Sequence, residues 1–211
     1  HDSVANYNTS LEKTFSLVEL FSVFGQSAEF QYMAVREEEK YELKKLMDNT
    51  PIPVKDSLDE PSTKINVLLQ SYISRLKLDG FALNADMVYI NQNAGRLLKA
   101  LFEIALQKKW SRISKLLLTT SLYVSRRMWL NNSPLRQFFT CPAEAITRME
   151  ASPLPFKAYL DLKTANEVGQ ALRLEKYGKT VYDLLKRFPK LKVSCSVQPI
   201  TRSILKFDIE L

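Results

Sequence analysis

Four residues, Gln92, Asn93, Arg96 and Lys99, form the part of this sequence best equipped to meet a ligand. They are separated by one, three and three positions in a run of good helix formers, so Asn93, Arg96 and Lys99 stack along one helix face with Gln92 beside them. Glu103 and Gln107 continue the strip. The helix that carries them is predicted over residues 85–110, ADMVYINQNAGRLLKALFEIALQKKW. Its Met87, Val88, Ile90, Leu97, Leu98, Leu101, Phe102, Ile104 and Ala105 recur at helical spacing and predict a wide buried side. Gly95 interrupts the run, at a cost of about 1 kcal/mol relative to alanine, and leaves room for another backbone to come close. Two readings follow: a buried helix with a solvated polar edge, or a helix laid against a polyanion. No aromatic residue reads as a platform beside the strip.

A second, smaller candidate comprises Arg173, Lys176 and Lys179. Two short helices are predicted, from Thr164 to about Arg173 and from Gly178 to about Arg187, joined by a Leu174-Glu175-Lys176-Tyr177 turn. Free backbone N–H groups at the start of a helix can hold phosphate, and Lys176 and Lys179 flank that start. The alternative is a solvated packing unit. The Gly178-Lys179-Thr180 triplet does not extend to a nucleotide-binding loop. That motif needs a glycine five positions earlier, where Arg173 stands, and a preceding strand.

Other chemistry finds little support. The single histidine is His1, and the two cysteines, Cys141 and Cys195, lie far apart in unlike contexts. Neither a metal site nor a disulfide framework can be built from them, which points to a reducing compartment. Glu37, Glu38, Glu39 and Glu42 read as the exposed face of a helix. With no Ser/His/Asp or Cys/His arrangement, no catalytic residue, metal ligand or cofactor is assigned within these residues.

The elements that must position the two candidates are mainly helical. The chain has 211 residues, 45% of them hydrophobic, and only five glycines. Its net charge of +7 is unevenly distributed. Residues 1–60 hold 6 Lys/Arg against 12 Asp/Glu, residues 61–140 hold 12 against 3, and residues 151–192 hold 9 against 4. The middle and late chain are therefore expected to face nucleic acid and the acidic first part to face elsewhere. No 18-residue apolar run, signal peptide or lipidation motif points to a membrane.

Helices are predicted from the Ser16–Glu19 capping box to Gly25, from about Val35 to Asn49, from Pro61, and from a Ser111 cap to about Leu130, with Pro142 opening a short helix to Ala151. Pro51-Ile52-Pro53 forces an extended connector. Pro153 and Pro155 mark a boundary. From Leu191 the period changes to alternation, through Val193, Cys195 and Val197, a turn at Pro199–Arg202, then Leu205, Phe207, Ile209 and Leu211. A hairpin is marginal alone, so a β-sandwich is expected to continue beyond Leu211.

Longer strings carry a family resemblance: VREEEKYELKKLMDNTPIPVKDS (Val35–Ser57), KINVLLQSYISRLKLDGFAL (Lys64–Leu83), NAGRLLKALFEIAL in the long helix, RRMW…SPLRQF (Arg126–Phe138) and FPKLKV…QPITRSILKF (Phe188–Phe207). Over almost the whole chain they resemble the accessory module that follows the motor and winged-helix domains in the twin-cassette RNA helicase of the spliceosome. The first, active cassette is resembled more than the second. An endoplasmic-reticulum translocation subunit shares the module as a protein-binding platform and is the rival reading, with a purely structural scaffold as another.

The resemblance implies a mainly α fold in four parts. Residues 1–12 would be the tail of a preceding domain, and 13–151 a helical bundle with a central ratchet helix at 85–110. A helix-loop-helix would follow at 152–190, then the first strands of an immunoglobulin-like domain at 191–211. It also implies that the ratchet helix lines the tunnel through which motor domains pull single-stranded RNA. The parent would be a nuclear enzyme that unwinds the paired U-four and U-six small nuclear RNAs among other spliceosomal proteins, with ATP and Mg held in its motor domains. Arg96 and Lys99 would offer charge to the RNA backbone, and Gln92 and Asn93 neutral hydrogen bonds that release easily. Arg96 could also stack on any base, since every base has a π-face.

Overall fold

The computed structural model describes residues 15–211. The expected tail of a preceding domain, residues 1–12, lies outside the described residues. The chain divides into two compact units, one ending at Asn131 and the other beginning at Asn132.

In the first unit, α1 (Leu17–Gly25) opens on the expected capping box. The Ser16 N–H donates to the Glu19 carboxylate at 2.9 Å, and Ser16 Oγ accepts from the Val18 N–H at 3.2 Å. A 3-10 turn, Ala28–Phe30, follows. The helix predicted from Val35 starts later. A 3-10 turn at Glu37–Glu39 precedes α2 (Lys40–Met47), because Glu39 turns inward instead of facing solvent.

At the centre lies α3 (Pro61–Ser74), started by a proline in its first turn and buried on nearly every side. Its polar residues are buried with partners. Gln70 takes both the N–H and the C=O of Ile52, at 2.9 and 3.1 Å, which pins the Pro51-Ile52-Pro53 connector. Lys64 donates to Ala34 O at 2.8 Å, to Asp86 Oδ2 at 2.7 Å and to the Glu39 carboxylate. Gly25 is required where α1 meets α3, since a Cβ there would lie 2.4 Å from the Ser62 carbonyl oxygen.

The long helix α4 (Phe81–Gln107) packs between α3 and α5 (Ser111–Arg126). Its 27 residues span about 40 Å. It begins four residues earlier than predicted. Glu42 accepts from the Asp79 and Gly80 N–H groups, and the Asn84 side chain donates to Gly80 O inside the first turn. It also ends earlier, at a left-handed Lys109.

Three other helices end the same way, with Arg75, Arg127 or Arg173 left-handed. In each of the four the next N–H reaches back five residues, as Trp110 does to Ala105 O at 2.9 Å. The ends of α3 and α5 also cap each other. Arg75 Nε donates to Arg127 O at 3.0 Å, and Arg127 Nε to Tyr72 O at 2.9 Å.

The second unit contains α6 (Ala143–Ala151), α7 (Phe156–Leu160), α8 (Ala165–Leu172) and α9 (Gly178–Leu185). The proline pair at 153 and 155 does not separate the units. Ala145 and Met149 of α6 join Tyr159, Val168, Leu172 and Val181 in one apolar cluster, and Glu150 holds the Ser133 N–H and Arg136. The predicted end of the first bundle at 151 thus falls inside this unit, and α7 has no counterpart among the predicted helices. Strands β1 (Ser194–Pro199) and β2 (Leu205–Glu210) form the expected antiparallel hairpin, with Val197 opposite Phe207. The architecture is mainly helical with a terminal hairpin, as the sequence predicts.

Candidate nucleic-acid interface

The strip on α4 stands on a rigid base. Ile90, Ala94 and Leu98 are completely buried beneath it, while Gln92, Arg96 and Lys99 are exposed and Asn93 is half-buried. The buried side is narrower than predicted, since Val88 is 52% and Ile104 50% exposed. Both lie at the margins of the stripe, where a 3.6-residue period carries a side chain off the packed face.

Within the strip the side chains are not all free. Asn93 Nδ2 donates to Tyr89 O one turn earlier at 3.0 Å, which lays the amide along the helix. Its Oδ1 accepts from an Arg96 terminal nitrogen at 3.1 Å. That same nitrogen lies 2.7 Å from Glu29 Oε1, on the 3-10 turn after α1. The acidic first part of the chain does not face wholly elsewhere, then: one of its carboxylates reaches the strip. Gln92 and Lys99 make no hydrogen bond or ion pair among the described residues.

An aromatic surface that the sequence reading missed adjoins this face. Asp86, Tyr89, Asn93 and Arg96 share one stripe by their spacing. The Tyr89 ring is 44% exposed and meets Phe30 edge-on at 6.2 Å, and Tyr32 is almost fully exposed. A hollow of about 210 Å³ lies among Phe30, Tyr32, Arg36, Asp86 and Tyr89. Tyr89 stands one turn before Asn93, and that spacing could have identified it.

The acidic run also differs from the solvated face expected of it. Glu37 and Glu38 are exposed, but Glu39 is buried against Lys64 and Arg36, and Glu42 caps α4. Burial pushes the Glu39 carboxyl up. The Lys64 and Arg36 contacts together outweigh this and hold it below the usual carboxylate range. These carboxylates serve packing rather than chemistry.

In the second unit, Arg173 is the left-handed cap that ends α8, and its side chain is exposed. Lys176 pairs with Glu144 of α6 at 2.9 Å and lies over the Tyr177 ring at 4.6 Å, and those two contacts raise its pKa. Lys179 is exposed. The start of α9 is less open than the sequence suggests. A 3-10 turn, Glu175–Tyr177, leads directly into it, and the Gly178 N–H is spent on Glu175 O. Gly178 is buried so closely that a Cβ would lie 2.5 Å from Ala165 O. The Gly178 N–H is therefore not available to a phosphate.

Among the described residues, no cluster of metal-ligating side chains is found, and no helix is long and apolar enough to cross a membrane. Cys141 is buried, and burial pushes its thiol pKa up, away from nucleophilic use.

Comparison with known proteins gives a consistent result. The family described as the Sec63 Brl domain matches residues 1–211. The chain is 50% identical over 209 residues to a Schizosaccharomyces pombe protein named pre-mRNA-splicing factor brr2, covering 99% of this chain and 10% of that protein. It is 49% identical over 211 residues to the human U5 small nuclear ribonucleoprotein 200 kDa helicase, covering all of this chain and 10% of that one. To an Arabidopsis thaliana protein named DExH-box ATP-dependent RNA helicase DExH12 it is 45% identical over 209 residues, with 99% and 10% covered. The chain thus spans about a tenth of the length of these relatives. Their names agree with the resemblance read from the long sequence strings.

Proposed function

The chain belongs to the Sec63 Brl domain family, and from that premise we propose that it is the non-catalytic accessory module of an ATP-dependent RNA helicase in nuclear pre-mRNA splicing. In this reading α4 lines the path of a single RNA strand, and Gln92, Asn93, Arg96 and Lys99 touch it. One observation carries the reading. A 27-residue helix, buried along one side, presents an exposed run of amide and cationic side chains on another. The buried side fixes the helix, so the contacts stay in register while the strand moves past them.

The chemistry suits a moving ligand. Arg96 and Lys99 offer charge to phosphates, and Gln92 and the remaining capacity of Asn93 offer neutral hydrogen bonds. Tyr89 offers a ring face to a base. Contacts of about 1–3 kcal/mol each hold a strand yet exchange readily, and stacking does not depend on sequence. Hydrolysis of ATP with Mg would belong to motor domains outside these residues. The strand would come from the paired U-four and U-six small nuclear RNAs. Motor and winged-helix domains of the same protein, together with other spliceosomal proteins, would complete the tunnel. Arg173, Lys176 and Lys179 are a secondary contact in this proposal, with Lys179 the most available.

Replacing Arg96 with leucine tests it. Leucine removes a charge and a stacking plane but keeps helix propensity. In the intact helicase, duplex unwinding is expected to fall severalfold while thermal stability changes little and ATP hydrolysis is less affected. Asn93→Leu is expected to act in the same direction more mildly, because Asn93 offers only neutral bonds. Unaltered unwinding by Arg96→Leu, or a large loss of stability, would defeat the reading.

A further inference from the structure

Arg96 already holds an anion. Glu29 Oε1 lies 2.7 Å from one terminal guanidinium nitrogen, which also reaches Asn93 Oδ1 at 3.1 Å. Glu29 is fixed in place rather than adrift. It belongs to the 3-10 turn Ala28–Phe30, whose Phe30 is 2% exposed and packs on Phe24 at 5.5 Å. Its carbonyl oxygen accepts from the Tyr89 hydroxyl at 3.4 Å. The carboxylate is therefore tethered beside the strip, on a segment anchored in the core.

The two charged groups remain accessible, with side chains 66% exposed for Arg96 and 30% for Glu29. Pairs of this kind are the weak class of salt bridge, open to competition by another anion. Of the other carboxylates on the stripe, Asp86 cannot take over, because Lys64 and Arg36 hold it at 2.7 and 3.1 Å. Glu103, seven residues beyond Arg96, forms no ion pair with it among the described residues.

The geometry points to Glu29 as a displaceable counter-anion of Arg96, one that sets how tightly the strip grips RNA. It rests on the reading that the strand lies on this face. A phosphate arriving at Arg96 displaces the Glu29 carboxylate. When the strand advances, the carboxylate returns. Arg96 is thus never left without an anion between contacts, so each exchange trades one ion pair for another. The result is weaker binding and faster release than a free arginine would give.

The opposite role is also physically open to a carboxylate in this position: it could hold Arg96 pointing at the strand. The two roles differ in sign. Binding of a fluorescein-labelled oligouridine to the intact protein, followed by anisotropy and by dissociation rate, separates them for Glu29→Gln, Arg96→Leu and the double variant. Glu29→Gln keeps the shape of the side chain and is expected to tighten binding two- to tenfold and slow release. Glu29→Ala is expected to act in the same direction. In the Arg96→Leu background, Glu29→Gln is expected to change nothing. If Arg96→Leu weakens binding while Glu29→Gln leaves it unchanged or weaker, the counter-anion role is overturned and the strip reading stands. If Arg96→Leu has no effect on binding, the strip reading itself falls, and this role with it. Tightening by Glu29→Gln that persists without Arg96 also overturns the role.

Discussion

Replacing Lys64 with methionine is expected to destabilise the first unit by about 3–5 kcal/mol, the range for breaking one partner out of a buried ion pair. The Lys64 side chain is wholly buried, and its ammonium serves three acceptors: the Glu39 carboxylate, Asp86 Oδ2 and Ala34 O. Methionine keeps the length and nearly the volume, so little of the loss comes from a cavity. Asp86 keeps Arg36, but Glu39, whose side chain is 4% exposed, keeps only an arginine that is itself 43% exposed.

The pH dependence gives a second reading. Burial pushes the Glu39 carboxyl up, and the Lys64 and Arg36 contacts more than reverse this, so its folded pKa is depressed. A depressed carboxylate stabilises the fold above its unfolded pKa of about 4.3, and that contribution is lost as pH falls through the folded value. In Lys64→Met the burial remains while its chief opponent is gone. The carboxyl then rises, and ionising it costs stability as pH increases. The gap between the two proteins should be widest near neutrality, begin to narrow as pH falls past the unfolded pKa, and close only as pH drops through the depressed folded pKa of Glu39.

Urea unfolding followed by tryptophan fluorescence suits the measurement, because the two tryptophans, Trp110 and Trp129, both lie in the first unit. Adding Glu39→Leu to Lys64→Met should recover most of the loss, since apolar replacement of a buried pair is often neutral. A loss below about 1 kcal/mol at neutral pH, or a gap that widens on acidification, would refute the reasoning.

Other outcomes follow from single positions. Gly95 has nothing within 4 Å of where a Cβ would stand, so Gly95→Ala should stabilise the protein by about 0.5–1 kcal/mol in thermal unfolding. If a strand passes closely over Gly95, unwinding by the same variant should fall. Lys109→Gly should gain about 1 kcal/mol by relieving a left-handed lysine, measured by urea unfolding. Arg127→Gly relieves the same strain but loses the bond to Tyr72 O and the contact with the Tyr72 ring, so it should destabilise instead. Lys179→Glu in the intact helicase should lower RNA affinity, as should Lys176→Glu, which also breaks the Glu144 pair. Unchanged binding by both would assign that helix pair to packing alone.

The longer helices and the hairpin were legible because their periods are unmixed and their starts carry strong signals, such as the Ser16 box, Pro61 and the alternation from Cys195 to Ile209, whereas the five-residue α7 is too short to show a period. Helix ends were less so. Glycine is the usual sign of a left-handed stop, but here Arg75, Lys109, Arg127 and Arg173 occupy those positions, and a basic residue reads equally well as helix interior. The strip on α4 was visible as a pattern of three and four. Its partner Glu29 was not, because a contact across 67 residues leaves no periodic trace. The inward turn of Glu39 was hidden for the same reason: its neighbours Glu37 and Glu38 look identical in sequence and face solvent.

The Lys64–Asp86 contact bears on which changes of length α4 could accept. Asp86 fixes the angular phase of the helix against α3, and Arg96 follows ten residues later on the same stripe. One residue inserted between them would turn the strip by about 100°, away from Glu29, while leaving the anchor intact. Seven inserted residues would return it to within about 20° of its original direction, and eleven to a similar offset of opposite sign. Insertions and deletions in this segment should therefore come in such steps.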